Sequence, residues 1–393
     1  MMPHQRDRHI DAVIVKEMTH SPCLGILGMR QVGKSTLLKK FSNSYYSFDQ
    51  PDFSIQFQRN SALLESSERP LALDEIQKYP PAFDALKYAI DQNKRPGQFL
   101  VSGSVRFSSK KQIRESLTGR ISLIEVFPLT MAECHGKALS RFLQVLVEKS
   151  PKVWGGILEK NAWALTGQIQ HYAVAGGLPG ICFKRDESVR ASQFENHIDT
   201  LLGRDIHMVY QTQTSLDQAK IIVTEIANTC GLPINNAHLA RLAGLSQPTV
   251  KKLLLALEGI FLLRHYGSAY FLEDCGLSKH LVPLRGALSK WDWIHLIYHE
   301  FRVQLAIALR LKANVRPYTT RGGVAVPFLL DAKNGRKIAF CVDPNKTPTQ
   351  KSLKSLSWCR KNHPDIHQVI LSAAESYRIL DSGIHIIPLN WVF

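Results

Sequence analysis

The sequence contains no long apolar run. No stretch approaches the roughly 18 to 20 consecutive apolar residues that a membrane-spanning helix needs. The opening residues, MMPHQRDRHIDAV, lack the apolar segment of a signal peptide and include two aspartates. These absences predict a cytoplasmic protein without a membrane partner.

Cysteine patterns typical of metal sites and disulfides are also missing. The seven cysteines are scattered and form no CxxC pair, and we expect the fifteen histidines to be packing or surface residues rather than metal ligands. An odd number of unspaced cysteines argues against both a disulfide framework and a zinc site. The chain has no internal repeat, and its length of 393 residues is too great for one ordinary core, so we expect two or three domains.

Acidic residues are scarce relative to basic ones. The chain has 49 lysines and arginines against 33 aspartates and glutamates, which gives a formal net charge of +16. Such a balance favours anionic partners: a nucleotide, a nucleic acid or an acidic protein surface. Because solvated lysine faces are common, charge alone does not choose among them.

Short apolar segments alternate with helical stretches from residue 1 to about residue 127. The segments CLGILG, PLALDE, GQFLVSGS and ISLIEVF are each bounded by turn or polar residues, which is typical of buried strands. Strands that alternate with helices predict a parallel sheet with helices on both faces.

The segment GMRQVGKS lies between the first of these strands and the predicted helix STLLKKF, and it fits the pattern GxxxxGK[ST]. Glycines let backbone N–H groups face phosphate oxygens, and the start of a helix adds partial positive charge. We expect Lys34 to reach the β- and γ-phosphates of a nucleotide and Ser35 to ligate Mg²⁺. The expected nucleotide-binding residues are Gly28, Met29, Arg30, Gln31, Val32, Gly33, Lys34, Ser35 and Thr36.

A second motif, PLALDEIQ, is an apolar strand that ends in two acids. We expect Asp74 to hold the Mg²⁺ shell and Glu75 to polarise an attacking water. A strand that ends in acids is a weak signal by itself. It gains weight because it follows the glycine-rich segment in a strand–helix pattern.

Further residues are candidates for contact with the reacting phosphate. Ser102 or Ser104 would contact the γ-phosphate or the water, with ordinary loop serines as the alternative. Arg120 follows a predicted basic helix and would act as a transition-state arginine, in its own chain or toward a neighbouring subunit. A surface ion pair is the alternative for Arg120, and Arg204 is a lower-ranked candidate for the same role.

The chain becomes helical from Pro128, where PLTMAE has the pattern of a capping box. Further on, AHLARLAGLSQPTVKKLLLALEG predicts a helix-turn-helix with Gly244 in the turn and Ser246 as the cap of the second helix. The following IFLLRHYGSAYFL predicts two strands that would form a wing. The second helix would contact DNA, with protein binding as the alternative, through Gln247, Thr249, Lys251 and Lys252.

These motifs together resemble the prokaryotic AAA+-type ATP-binding proteins that end in a winged helix and a restriction-nuclease-like domain. The matching stretches are GMRQVGKSTLL, LALDEIQKYP, LVSGS, ESLTGRI…VFPLTMAE, AGGLPG, LLGRDI and AYFLEDCGLSKHL. The resemblance implies binding and hydrolysis of ATP, with Mg²⁺ at Ser35 and Asp74. It also implies that Arg120 belongs to the nucleotide environment and, by analogy, that the protein forms a homo-oligomer.

The implied fold class is α/β, in four segments. Residues 1–127 would form a P-loop NTPase core with a parallel sheet, and residues 128–217 a helical lid. Residues 218–285 would form the winged helix-turn-helix, and residues 286–393 an α/β restriction-nuclease-like domain.

The last segment departs from the nuclease pattern. A working nuclease of this fold needs metal-holding acids on a hairpin and a lysine two residues beyond the second acid. Those positions are occupied here by Pro327, Cys341 and Asp343. Only Glu300 remains, so we expect a catalytically degenerate domain kept for binding or assembly. A displaced site made by Asp331, Asp343 and Lys346 is the alternative.

The sequence therefore predicts an ATPase whose ATP state controls contacts of the winged helix and the C-terminal domain with nucleic acid or a partner protein. Two alternatives belong to other functional classes. One is a DNA-binding regulator that uses ATP as a ligand rather than as fuel, and the other is an active metal-dependent nuclease.

Overall fold

The computed structural model describes residues 6–59, 63–107, 119–163, 167–310, 312–319 and 325–393. The basic helix expected before Arg120, with Lys110, Lys111 and Arg114, lies outside the described residues. The chain divides into two compact units. The first comprises Met1–Pro128, Leu178–Val223 and Asn236–Arg264, and the second comprises Leu129–Gly177, Thr224–Asn235 and His265–Phe393.

A five-stranded sheet forms the centre of the first unit. Its strands are β1 (Cys23–Leu27), β2 (Ser44–Ser47), β3 (Leu71–Asp74), β4 (Phe99–Gly103) and β5 (Ile121–Glu125). They lie in the order β2-β3-β4-β1-β5, and every pairing is parallel, which confirms the predicted parallel sheet. The sequence patterns missed β2, because its residues SYYS contain no apolar run.

Helices accompany this sheet along the chain. Those of the first unit are Asp11–Met18, Lys34–Phe41, Phe53–Arg59, Leu63–Ser66, Pro81–Gln92, Glu187–Gly203, Asn236–Ala243 and Gln247–Gly259. Short 3-10 helices cover Ile76–Lys78 and Asp205–Met208, and the helix Leu216–Thr229 runs from the first unit into the second. Every residue of β1, β3 and β4 is buried, as expected for a sheet covered on both faces.

The predicted helix-turn-helix pattern is present. The helix Asn236–Ala243 is followed by Gly244, whose φ of 64° lies in the left-handed region that glycine adopts without strain. The second helix, Gln247–Gly259, begins at Ser246, whose hydroxyl accepts a hydrogen bond from the Thr249 amide at 3.2 Å. The next two strands, β6 (Leu263–Tyr266) and β7 (Ala269–Leu272), pair as a hairpin.

The second unit contains a mixed six-stranded sheet. Its strands are β8 (Ala313–Thr319), β9 (Ala325–Ala332), β10 (Lys337–Asp343), β11 (His367–Ser372), β12 (Arg378–Ile379) and β13 (His385–Pro388). They lie in the order β12-β13-β11-β10-β9-β8, antiparallel at both ends and parallel where β10, β11 and β13 meet. The hairpin predicted at Asn334-Gly335 is confirmed, since Gly335 turns with a φ of 85° between β9 and β10.

Side chains alternate across this second sheet. On β10, Phe340 and Val342 join the core that contains Phe301, whereas Ala339 and Cys341 join the opposite core. The helices of the unit are Met131–Cys134, Phe142–Glu148, Trp154–Asn161, Gln168–Ala175, Cys275–Leu281, Lys290–Ile307 and Gln350–Asn362, with 3-10 helices at Pro151–Val153 and Leu389–Val392. Within the described part of the chain, no helix combines the length and the apolar character needed to span a bilayer.

Candidate functional site

The segment GMRQVGKS, here called the phosphate loop (residues 28–35), joins β1 to the helix Lys34–Phe41. A Cβ atom on Gly28 would lie 2.3 Å from the carbonyl oxygen of Val126, so only glycine fits there. Gly33 precedes the helix with a φ of 98°, and it offers no side-chain cap to the first helical amides. Those amides are consequently available to an anionic ligand.

The other residues of the loop fall into two groups. Met29 and Val32 are buried in the apolar core and anchor the loop to the sheet. Gln31, whose φ is 67°, and Thr36, in the first turn of the helix, are exposed. The first pair is therefore enclosed in the core, and the second pair is open to solvent.

Lys34 is buried and turned toward the acids of the second motif. Its Nζ donates hydrogen bonds to the carbonyl oxygens of Gly28 at 3.1 Å and Met29 at 3.0 Å, and lies 3.9 Å from Oε1 of Glu75. Burial lowers the pKa of Lys34, and the nearby carboxylates of Glu75 and Asp74 oppose that shift. The expected lysine and the two expected acids are thus brought together.

Asp74 ends β3 and is held by two hydroxyl groups. Tyr45 Oη donates to Asp74 Oδ2 at 2.6 Å, and the Ser102 hydroxyl donates to Oδ1. Burial and the bond to Asp74 raise the pKa of Tyr45, so the phenol stays neutral.

The oxygen atoms of Ser35 and Asp74 suit Mg²⁺, which prefers hard oxygen ligands and completes its shell with water and phosphate oxygens. No group of three or more histidine, cysteine or acidic side chains able to hold a metal ion occurs among the described residues.

Glu75 is fixed in place from several directions. Its backbone has a φ of 53°, in the left-handed region, and its amide donates to Ser102 Oγ at 3.0 Å. Its carboxylate accepts hydrogen bonds from Ser104 Oγ at 2.9 Å and from Gln77 Nε2. Ser102 therefore supports both acids, and Ser104 orients the carboxylate of Glu75. Gln77 was missed from sequence, although it lies only two residues after Glu75.

Arg30 connects the phosphate loop to a buried acid far along the chain. Its Nε lies 2.7 Å from Oδ2 of Asp205, whose side chain is completely buried, and Arg204 Nε lies 3.2 Å from Oδ1. His197 lies beside this cluster, and burial, assisted by Arg30, lowers its pKa to about 4. In the sequence analysis Arg204 was a lower-ranked candidate and Asp205 was not identified. The only sequence signal for Asp205 was its position next to Arg204.

Arg8 is a second residue that the patterns missed. Its guanidinium donates to the carbonyl oxygens of Val32 and Phe127, both at 2.8 Å. Arg8 thereby joins the phosphate loop to the segment after β5. A single arginine near the start of a chain carries no recognisable pattern, so only the structure could identify this contact.

Arg120 lies away from the phosphate loop. Its guanidinium pairs with the carboxylate of Asp91 at 2.8 and 3.0 Å, which is the surface ion pair given above as the alternative. Ile121, the next residue, aligns with Cys23 at the start of β1, whereas the loop follows the end of that strand. The two edges are separated by about 16 Å, the length of a five-residue strand. A contact with nucleotide bound to the same chain does not fit this position, and a contact toward a neighbouring subunit stays a prediction.

Glu300, the acid that remains of the nuclease pattern, is buried in the second unit. Its Oε1 accepts a hydrogen bond from the Met131 amide at 3.2 Å, and Oε2 has no hydrogen-bond partner among the described residues. Burial raises the pKa of Glu300 to about 8. A protonated, enclosed carboxyl group is a poor magnesium ligand.

The alternative displaced nuclease site is wrong. Asp331 pairs with Arg316, and it lies opposite Lys337 at the start of β10. Asp343 ends the same strand, about 20 Å away at 3.3 Å per residue. Its carboxylate accepts hydrogen bonds from the amide and hydroxyl of Thr349, both at 2.7 Å. The third member, Lys346, pairs with Glu375 at 2.6 Å.

Comparisons with known proteins agree with the first unit's architecture. Residues 20–135 match a family described as an AAA domain, and residues 166–269 match a domain of unknown function (DUF8612). The first match includes both the phosphate loop and the strand LALD, and it supports a P-loop ATPase core.

Similar whole chains are themselves uncharacterized. One protein from Mycobacterium bovis and one from Mycobacterium tuberculosis are each 23% identical over 368 residues, which cover 88% of this chain and 76% of the relative. Among solved structures, a Walker-type ATPase of Pyrococcus abyssi is 13% identical, with a TM-score of 0.44 over 70% of this chain and 96% of that chain.

Proposed function

We propose that this protein binds ATP with Mg²⁺ at the phosphate loop and hydrolyses it to ADP and phosphate. The observation that carries the proposal is the position of Lys34 beside the acids at the end of β3, since its Nζ lies 3.9 Å from Oε1 of Glu75. The helix that Lys34 begins has no side-chain cap on its first amides. The match of residues 20–135 to an AAA domain supports ATP as the nucleotide.

Each side chain has a distinct role in this proposal. The loop amides and Lys34 bind the phosphate oxygens, and Ser35 and Asp74 hold the magnesium ion, which neutralises phosphate charge when bound. Glu75 accepts a hydrogen bond from the attacking water and takes up its proton. Ser104 and Gln77 fix the direction of the Glu75 carboxylate.

Nucleotide binding is the first test. Calorimetric titration with a non-hydrolysable ATP analogue and Mg²⁺ should give saturable binding to the full chain. Lys34→Ala should abolish it, whereas Lys16→Ala, at an exposed position on the first helix, should leave it unchanged. Absence of binding to the unaltered protein would exclude the proposed ATPase.

The same proposal gives the nucleotide a route to the helix-turn-helix. Ser104, which contacts Glu75, lies two residues before Arg106, whose amide donates to the Gly259 carbonyl at 2.8 Å. The Arg106 side chain donates to the Glu258 carbonyl at 3.1 Å. The segment from Ser104 to Arg106, which contacts Glu75 at one end, is therefore hydrogen-bonded to the carboxyl end of the helix Gln247–Gly259.

Charge favours nucleic acid as the partner of that helix pair. Between residues 236 and 259 the sequence contains one acid, Glu258. Three basic residues of the same pair are exposed: Arg241, Lys251 and Lys252. Exposed lysines near the start of the second helix, with a single acid in the whole pair, suit the phosphate backbone of DNA.

The DNA proposal has a quantitative test. Changing Lys251 and Lys252 together to alanine should weaken DNA binding and reduce the salt slope of log K by up to about 2, since each phosphate contact contributes about 0.9. Lys94 and Arg95, an adjacent exposed pair elsewhere in the first unit, provide the matched double-alanine control. Equal loss in both variants would exclude a specific role for the helix, and no DNA binding at all would direct the search to a protein partner.

A further inference from the structure

Tyr45 lies outside both nucleotide motifs, yet its side chain contacts one of the two proposed Mg²⁺ ligands. Its Oη donates a hydrogen bond to Asp74 Oδ2 at 2.6 Å. The other oxygen of the same carboxylate, Oδ1, accepts a hydrogen bond from the Ser102 hydroxyl. Both carboxylate oxygens of Asp74 are therefore engaged by hydroxyl donors.

The register of β2 and β3 explains how Tyr45 reaches this point. Tyr45 aligns with Ala72, and Ser47 aligns with Asp74. Because side chains alternate along a strand, Tyr45 lies on the same face of the sheet as Asp74. Tyr46 faces the other way and stacks on the ring of Phe53, with centroids 5.2 Å apart.

A phenol hydroxyl and a metal ion compete for the lone pairs of Asp74. The Tyr45 hydroxyl presents its hydrogen to Oδ2, whereas Mg²⁺ requires a lone pair of the same carboxylate, directly or through a bound water. Mg²⁺ also tolerates little deviation from octahedral geometry, so it can use Oδ2 from that direction only if the phenol moves.

We propose that Tyr45 competes with the metal for Asp74 and thereby lowers the metal affinity of the nucleotide site. This inference rests on the proposed function. Metal binding requires the phenol to give up its bond to Asp74. Asp74 keeps its other support when this happens, because the Ser102 hydroxyl still donates to Oδ1.

The test measures metal affinity rather than turnover. Mn²⁺, a paramagnetic substitute for Mg²⁺, is titrated into ADP-saturated protein and the free ion is followed by electron paramagnetic resonance. Tyr45→Phe should bind Mn²⁺ at least about tenfold more tightly, as expected when a charge-assisted hydrogen bond no longer has to be broken. The ring that lies under the Lys39 ammonium at 4.7 Å is retained in this variant.

Tyr46→Phe is the matched control and should bind Mn²⁺ like the unaltered protein. Unchanged affinity in Tyr45→Phe would overturn the proposal, and weaker affinity would show that the phenol supports the metal instead of competing with it. ADP binding in EDTA distinguishes a failure of the nucleotide site from a failure of the role given to Tyr45. If the unaltered protein binds no ADP, the nucleotide site itself fails; if ADP binds and the Mn²⁺ affinities are equal, only the role of Tyr45 fails.

Discussion

Arg30 and Asp205 form an ion pair with Nε and Oδ2 at 2.7 Å, although 175 residues separate them in the chain. Asp205 is completely buried, and Arg30 belongs to the phosphate loop. The pair therefore ties the loop to the segment that follows the helix Glu187–Gly203. A nucleotide that moves Arg30 would act directly on that segment.

Breaking this pair should destabilise the first unit. Asp205→Asn removes the charge while its amide oxygen still accepts one hydrogen bond, so we expect a loss of about 2 kcal/mol, below the 3 to 5 typical of a fully buried pair. Glu195→Gln, which removes an exposed partner of Lys220, should cost less than about 0.5 kcal/mol. Urea unfolding of both variants measures the difference, and equal losses would contradict the structural role of Asp205.

Glu75→Gln should separate ATP binding from hydrolysis. The amide keeps the size of the side chain and its contact with Ser104, but it cannot accept a proton from water. We expect the affinity for ATP to change little and phosphate release to fall at least about 100-fold. Normal turnover would remove Glu75 from the mechanism, and a protein whose DNA binding responds to ATP without any turnover would be a regulator that uses ATP as a ligand.

Arg106→Ala should weaken the coupling of the nucleotide to the helix-turn-helix, because it removes the side-chain contacts of this route and leaves the backbone bond from residue 106 to Gly259 in place. The change removes the bond to the Glu258 carbonyl and the contact with the Phe261 ring, whose centroid lies 4.6 Å from the guanidinium. We expect basal ATP hydrolysis to persist, while the difference in DNA affinity between the ATP and ADP states shrinks. Fluorescence anisotropy measures that difference, and Arg95→Ala is the control. An unchanged difference would exclude the Arg106 side chain from this route.

The buried carboxyl group of Glu300 should make stability depend on pH. Its pKa is raised by burial from an ordinary 4.5 to about 8, so the folded chain holds a proton that the unfolded chain loses. This contribution is fully present below about pH 4.5 and is lost as the pH rises through 8. Glu300→Gln should therefore flatten the decline in unfolding free energy between these values. Urea midpoints across the range test this, with the exposed Glu187→Gln as control, and equal slopes in both would contradict it.

Local patterns predicted much of the fold. The phosphate loop, the strand ending at Asp74, the helix-turn-helix and the hairpin at Gly335 all lie where the sequence indicated. Each depends on neighbours within a few residues: a glycine that adopts a positive φ, a serine cap or an apolar run. β2 was missed because it is an edge strand of polar and aromatic residues, three of which are only half-buried, so it has no apolar run.

The sequence by itself determined the chemistry available at the site, because Lys34, Ser35, Asp74 and Glu75 are recognisable from their spacing alone. Tertiary structure decided which other residues share that site. Strand order and register bring Tyr45 to Asp74, and long-range packing brings Asp205 to Arg30, whereas the same strand order leaves Arg120 at the opposite edge of the sheet. Such contacts join residues far apart in the chain, and no local preference encodes them; they form only when the whole core packs.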